Sequence, residues 1–349
     1  MPDELRLALA FALGFGAALI TVPLAIRLAW RTGFLDHPVG YKKHARPTPC
    51  LGGVAVMLAF VPGALLLGDG VSQFGVIVLC ALGLSLVGAV DDRVGLGPLP
   101  RVLAEIAAAT ALWSAGLAWY VSESETVNLI VAIFWVVGVV NAFNLMDNLD
   151  GAAGTVGAVS AAGAGVLATV EGDPLLGALA LSLAGACAGF LPFNLARPAR
   201  VFLGDGGSMP VGFIVAAVVM GISEHAGLGQ AVVVAAALFV GLPALDTALV
   251  VVSRTRRGAA VLSGARDHLT HRLLRPLHTP RAVALTLGFM QAALCLVGLA
   301  LFQVAAAAVF AFGAMYFLLG CAAILVLDSS YGPEAAPAVV APARQDPGS

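Results

Sequence analysis

Long apolar runs separated by short polar stretches make up most of the chain. A membrane-spanning helix needs roughly 20 mostly apolar residues, and about eleven such runs occur, centred near residues 15, 58, 82, 111, 136, 162, 184, 216, 240, 293 and 315. They read as helices because hydrocarbon leaves no way to satisfy an open sheet edge. The pattern therefore predicts an all-α, polytopic integral membrane protein with about 10–11 transmembrane helices, forming one domain over residues 1–330. Residues 331–349, rich in Pro and Ala and lacking helix caps, are expected to be a disordered tail. The first run follows Asp3 and Glu4 and ends in Arg27 and Arg31 without a small-residue cleavage pattern, so it reads as a retained helix rather than a signal peptide.

Composition agrees: 60% hydrophobic and 11% charged residues, with a mean hydropathy of +0.97, leave too little polar surface for a body in water. The formal charge of −2 hides an asymmetry. With the N-terminus outside, the odd-numbered connections carry nearly every Lys and Arg, from Arg27 and Arg31 through Lys42, Lys43, Arg46, Arg93, Arg101, Arg197 and Arg200 to the run Arg254–Arg281. The positive-inside rule makes those connections cytoplasmic. The even connections carry Asp69, Glu123, Glu125, Glu171, Asp173 and Glu224 instead. Cys50, Cys80, Cys187, Cys295 and Cys321 stand singly, without a Cys-x-x-Cys pair, and read as small hydrophobes.

The polar motifs all fall at odd connections. Asp91-Asp92-Arg93 ends the third run, Asn141-Ala-Phe-Asn-Leu-Met-Asp-Asn-Leu-Asp-Gly151 ends the fifth, Phe202-Leu-Gly-Asp-Gly-Gly-Ser208 precedes the eighth, and the basic loop from Arg254 follows the ninth. A shared cytoplasmic site is the expectation. Acidic side chains at membrane depth are functional candidates by default. Asp91, Asp92, Asp147, Asp150 and Asp205 would repel one another without a cation, and hard carboxylate oxygens suit Mg²⁺, which prefers few carboxylates plus substrate phosphates. The glycines around Asp205 are expected to let the backbone approach an anion, with Ser208 capping the next helix toward phosphate. Arg254, Arg256, Arg257, His268, His271 and Arg272 would supply counter-charge for a polyanion. Together these are parts for phosphoryl transfer. Asp246, about two turns inside the ninth run, is expected to take part in or support the site.

The ordered set Asp91-Asp92, Asn141-x-x-Asn144-x-x-Asp147-x-x-Asp150-Gly151, Phe202-x-Gly204-Asp205-x-Gly207-Ser208 and His268-x-x-His271-Arg272, opened by Pro47-Thr-Pro-x-x-Gly-Gly53, resembles the polyprenyl-phosphate N-acetylhexosamine-1-phosphate transferase family. Within that family the chain is more similar to the branch handling GlcNAc-1-phosphate than to the phospho-MurNAc-pentapeptide branch, which carries a three-histidine run. The resemblance implies transfer of a sugar 1-phosphate from a UDP-N-acetylhexosamine to a membrane polyprenyl phosphate, giving polyprenyl diphosphosugar and UMP. It further implies a bacterial plasma-membrane enzyme of surface-polymer synthesis, dependent on Mg²⁺ with Mn²⁺ as a substitute, with a homodimer consistent with the family and no nucleic-acid partner.

Roles follow from the same resemblance. Asp205 would ligate magnesium, with Asp92 and Asp147 as further ligands, and one of Asp91 and Asp92 would deprotonate or orient the lipid phosphate. Asn141, Asn144, Asp147, Asn148 and Asp150 would shape the nucleotide pocket, with Phe202 near the uracil and Gly204 and Ser208 beside it. Arg46, Thr48, Arg101, His268, His271 and Arg272 would neutralise the diphosphate or hold the sugar. Attack by an enzyme carboxylate and direct attack by the lipid phosphate are both open. The chain departs from the family in Asn148, where a glycine is usual, and in Arg101 and Glu105, where Lys and Gln are usual. Two rivals use part of the same residues. Asn144-x-x-Asp147-x-x-Asp150 resembles an Asp-rich motif of intramembrane prenyltransferases, but a second such helix is missing. A transporter would place ionisable groups on broken helices in two repeated halves, and no halves repeat.

Overall fold

The computed structural model describes residues 1–38, 46–66, 71–222, 230–261 and 266–329. His44, Glu224, His225 and the tail expected over 331–349 lie outside the described residues. Every apolar run becomes helical. The first seven are α1 (Asp3–Thr32), α2 (Gly52–Leu66), α3 (Val71–Val94), α4 (Pro98–Ser114), α5 (Glu125–Met146), α6 (Ala152–Val170) and α7 (Pro174–Asn194). α8 (Asp205–Gly221), α9 (Ala231–Ala237), α10 (Gly241–Arg256), α11 (Leu269–Leu277), α12 (Pro280–Leu301) and α13 (Ala306–Ser329) follow. Among the described residues eight segments are long and apolar enough to cross a membrane, with α9 and α10 counting as one, while α2 and α8 are shorter apolar helices.

α8 is short because it is not a lipid-facing span. Its 17 residues extend about 26 Å, and every residue from Gly206 to Met220 is buried. It packs on α3 and α5, with α6, α2 and α7 completing the surround. A helix enclosed by protein need not match the hydrocarbon thickness with its own apolar length.

Two prolines shape the helices near the site. Pro210 in α8 cannot donate to the carbonyl four residues earlier, and the Ser85 hydroxyl of α3 donates to that Gly206 oxygen at 2.7 Å instead. Pro243 likewise frees Phe239, and the ninth run breaks into a 3₁₀ turn at Leu238–Val240. The side-chain amide of Gln291 on α12 donates to the carbonyls of Phe239 at 2.9 Å and Leu238 at 3.1 Å. It also accepts from the Leu242 amide at 3.3 Å. The break is thus satisfied inside the protein, and α10 starts afresh with Asp246 on its second turn.

The first connection carries a short antiparallel pair, β1 (Leu35–Asp36) with β2 (Thr48–Pro49), in which Leu35 faces Pro49 and Asp36 faces Thr48. The strand edge then continues onto the segment before α8. The Phe202 amide donates to Pro49 O at 2.8 Å, and the Gly52 and Gly53 amides donate to Phe202 O at 3.1 Å and Leu203 O at 2.8 Å. Gly53 is required there, since a Cβ would lie 2.0 Å from the Gly207 nitrogen. The two glycine motifs, about 150 residues apart in sequence, bring the starts of α2 and α8 into backbone contact.

Candidate active site

Four carboxylates converge where the ends of α3 and α5 meet the start of α8. Arg101, on the first turn of α4, reaches into them. Its guanidinium donates to Asp91 Oδ2 at 2.9 Å and to Asn144 Oδ1 at 2.6 Å, and stands 3.0 Å from Asp205 Oδ2. The Asn144 amide donates in turn to Asp205 Oδ1 at 2.7 Å and to the Ser208 hydroxyl at 3.0 Å. Asp205 is therefore held from both sides by neutral and cationic donors, and Asp91 is closed off further by the Leu96 amide.

Asp92 and Asp147 meet backbone amides rather than any cation among the described residues. The Asp92 carboxylate accepts from the Asp205 amide at 3.0 Å and the Gly206 amide at 3.1 Å. It caps α8, where two orphan donors and the positive end of the helix dipole favour a negative charge. Gly204 takes φ +70° and has no room for a side chain, since a Cβ would sit 2.5 Å from Asp92 Oδ2. Asp147, the residue after α5, accepts from the Gly204 amide at 3.0 Å. Burial, then the charges of Asp205 and Asp92, push the Asp147 carboxyl well above the usual range, against the lowering effect of that amide.

These contacts correct two expectations. Ser208 does not cap α8: the helix begins at Asp205 with Gly204 as its N-cap, and Ser208 is a buried acceptor one turn further in. Nor are the first amides of α8 open to a phosphate, because Asp92 fills them. The Gly-Asp-Gly-Gly segment holds an anion of the protein itself. A sequence shows the glycines and the aspartate pair, but their meeting is a contact 113 residues apart.

The histidine segment forms a second layer. His268 is the N-cap of α11 rather than part of its face. Its Nδ1 lies 2.9 Å from Oδ2 of the fully buried Asp246, whose Oδ1 accepts from the Leu269 amide at 2.5 Å. Asp246 thus both orients the imidazole and anchors the start of α11. Burial, then the charges of Arg266 and His268, lower the pKa of His271 to about 4. His271 is therefore neutral at pH 7 and cannot act there as the cation expected of it.

Other expected cations are also spent within the protein. Arg254 donates to both oxygens of Asp267, at 3.0 and 2.7 Å, and Arg257 donates to one of them at 2.9 Å. Burial alone would raise the Asp267 carboxyl, but the hydrogen bonds and charge of Arg254 outweigh it and hold the pKa below the usual value. The buried Arg272 guanidinium donates to Asp267 O at 2.9 Å, Leu327 O at 2.5 Å and the Ser253 hydroxyl at 3.0 Å. It ties α10, α11 and α13 together instead of facing the carboxylates. Asp267 stands next to His268 in sequence, yet nothing in its spacing marks it as the counter-ion of this loop.

Of the remaining expected residues, Phe202 and Asp150 are half-buried beside the knot, and the buried Thr48 donates from its hydroxyl to Arg46 O at 3.1 Å. Asn148 donates to Leu145 O at 2.6 Å and accepts from the Thr270 hydroxyl, which joins the end of α5 to α11. Asn141 donates at 2.6 Å to Glu105, whose other oxygen is buried without a partner among the described residues. Sequence reasoning missed Asn194, whose side chain accepts from the Gly151 amide at 2.6 Å and donates to Val201 O at 2.9 Å. It couples the turn after Asp150 to the extended segment leading into Gly204. The five cysteines are free.

Among the described residues, no three His, Cys, Asp or Glu side chains stand in ligating geometry around one point. A closed protein cage for a metal is therefore not what the knot offers. Its chemistry fits a hard cation that retains water and draws further oxygens from a bound phosphate, since magnesium commonly uses only one or two protein carboxylates.

Residues 74–223 match the family model described as Glycosyl transferase family 4. Decaprenyl-phosphate N-acetylglucosaminephosphotransferase of Mycobacterium tuberculosis is 32% identical over 322 residues, covering 78% of this chain and 77% of that protein. The protein of the same name from Mycolicibacterium smegmatis is 33% identical over 303 residues, covering 74% and 73%. Phospho-N-acetylmuramoyl-pentapeptide-transferase of Mycolicibacterium gilvum is 32% identical over 294 residues, covering 67% of this chain and 80% of its own. Membership of this group displaces the prenyltransferase and transporter readings. With its bundle of apolar helices and its carboxylate knot, the chain belongs to the polyprenyl-phosphate N-acetylglucosamine-1-phosphate transferase family, as a multi-pass membrane sugar-phosphate transferase.

Proposed function

We propose that this transferase moves N-acetylglucosamine 1-phosphate from its UDP-linked form to a polyprenyl phosphate, giving the polyprenyl diphosphosugar and UMP. The observation that carries the reading is the convergence of Asp91, Asp92, Asp147 and Asp205 at the start of α8, where Arg101 pairs with Asp91 and Asp205 while Asp92 and Asp147 meet backbone amides. Among the described residues Arg101 is the cation paired with this cluster, and crowded carboxylates at the edge of an apolar body favour recruitment of a divalent cation together with its phosphate ligands.

Asp205, with Asp147 beside it, would hold Mg²⁺, and Mn²⁺ has the same preference for carboxylate oxygen. When bound, the ion would stabilise charge on the diphosphate in the transition state. The protein's own part is positioning. Asp92 fixes the first turn of α8, so that Asp205 has a defined place. Arg101 and Asn144 hold the Asp205 carboxylate from the opposite side. Asp91, fixed by Arg101 and the Leu96 amide, would orient the attacking lipid phosphate. Asn148, Asp150 and Phe202 would line the nucleotide side, and His268, oriented by Asp246, would donate from a ring nitrogen to sugar or phosphate. The face carrying the knot is cytoplasmic in this reading, because connections at that end hold nearly all the Lys and Arg.

Purified protein incubated with labelled UDP-N-acetylhexosamines, polyprenyl phosphate and Mg²⁺ tests the proposal. It predicts UMP and a lipid-linked product with UDP-GlcNAc. Absence of UMP with every UDP-N-acetylhexosamine would reject the donor assignment.

A further inference from the structure

Away from the carboxylate knot, a cavity of ≈ 530 Å³ opens between the end of α7 and the start of α12, lined by Arg197, Arg200 and Arg281 with Pro192 and Pro198 among its walls. Among the described residues no carboxylate lines it. The Arg281 Nε donates to Leu195 O at 2.9 Å, which pins its stem to the α7–α8 connection. Among the described residues the side chains of Arg197 and Arg200 have no hydrogen-bond or ion-pair partner, and Arg281 has none beyond Leu195. This contrasts with the loop after α10, where Asp267 answers Arg254 and Arg257. Three guanidiniums sharing one concavity repel each other, and an anion entering it removes that repulsion.

We propose that this cavity binds a phosphate oxyanion. Planar guanidiniums match phosphate with paired N–H donors, and they are weakly hydrated enough to exchange water for it. Place adds to chemistry. α7 and α12 are both long apolar helices, so a cavity between their ends lies at the membrane boundary, where basic pockets between helices take the headgroups of anionic lipids. The phosphate of such a lipid and free inorganic phosphate present the same oxyanion, and the lipid is concentrated at that plane. The site is separate from the transfer reaction: none of the three arginines contacts the carboxylate knot, so its failure and that of the proposed donor chemistry read out in different assays.

The test uses the full chain in neutral detergent, titrated with phosphatidylglycerol, phosphatidylcholine or inorganic phosphate, with bound lipid counted by native mass spectrometry and phosphate binding followed by calorimetry. Retention of phosphatidylglycerol over phosphatidylcholine is expected. In Arg197→Gln/Arg200→Gln it falls by roughly 25-fold, on the basis of about five-fold per arginine near a membrane surface. Arg27→Gln/Arg31→Gln removes two exposed arginines from the end of α1 and should leave binding unchanged. If inorganic phosphate binds and competes equally, the site stands with a soluble source. If the first double variant binds phosphatidylglycerol like the parent, or the second loses as much, the arginines serve only the charge of that face and the proposal is overturned.

Discussion

Asp92→Asn separates a helix-capping carboxylate from one whose only duty is to the substrate. The change keeps the shape of the side chain but removes its charge and turns one oxygen into a donor. In the parent, two oxygens meet the amides of Asp205 and Gly206 at 3.0 and 3.1 Å. An asparagine can accept from one of them, and its NH₂ then opposes the other. The orphaned amide costs about 1–3 kcal/mol, and loss of the charge at the helix N-terminus costs about 0.3–1 kcal/mol more. A total near 2–3 kcal/mol corresponds to a fall of roughly 3–4 °C in the thermal midpoint at this size. Scanning fluorimetry of the detergent-solubilised protein, without substrate or magnesium, reads that number directly. Turnover should fall with it, because Asp205 loses its fixed position. An Asp92→Asn protein that melts with the parent would show that the cap carries no weight, and the place of Asp92 would revert to substrate chemistry alone.

Further outcomes follow from the second layer. If Asp246 acts by orienting His268, Asp246→Asn should lower kcat/KM by about 10–100-fold, and Asp246→Asn/His268→Gln should be no worse than His268→Gln; additive losses in the double-mutant cycle would separate the two residues. Asn148→Gly removes the contact to Thr270 as well as a side chain from the nucleotide side, so donor KM should change more than lipid KM, and an unchanged donor profile would count against a pocket role. His271 has a folded pKa of about 4 against an ordinary 6.5. The folded state therefore binds fewer protons between those values, and its stability is full above about pH 6.5 and declines as pH falls toward 4. His271→Gln should flatten that part of the melting-point profile, measured from pH 7 to 4.5.

The helices were legible because hydrophobic length is a local property: each of the eleven runs became a helix or, in the ninth, a helix pair. The break in that run was not read from the sequence, although Pro243 is a signal for it, and its repair by Gln291 could not be, since the partners lie about 50 residues apart in sequence. Convergence of Asp91, Asp92, Asn144, Asp147 and Asp205 followed from counting helix parity. The division of labour among them did not, because it depends on which oxygen meets which amide. Arg272 and Ser208 were misjudged for the same reason. A residue type and a motif position announce polarity, whereas the direction of a side chain is settled by packing of helices far away in sequence. Arg101 belongs with them: it was expected to neutralise the diphosphate or hold the sugar, and its pairing with Asp91 and Asp205 appears only in the structure.

The central claim is a magnesium-dependent sugar-phosphate transfer centred on Asp205, and release of UMP from UDP-GlcNAc in the presence of polyprenyl phosphate tests it most directly. The parent should release UMP only with Mg²⁺ or Mn²⁺, while Asp205→Asn, melting within a few degrees of the parent, should show no turnover above background. Magnesium-dependent turnover at the parent rate in Asp205→Asn would contradict the account.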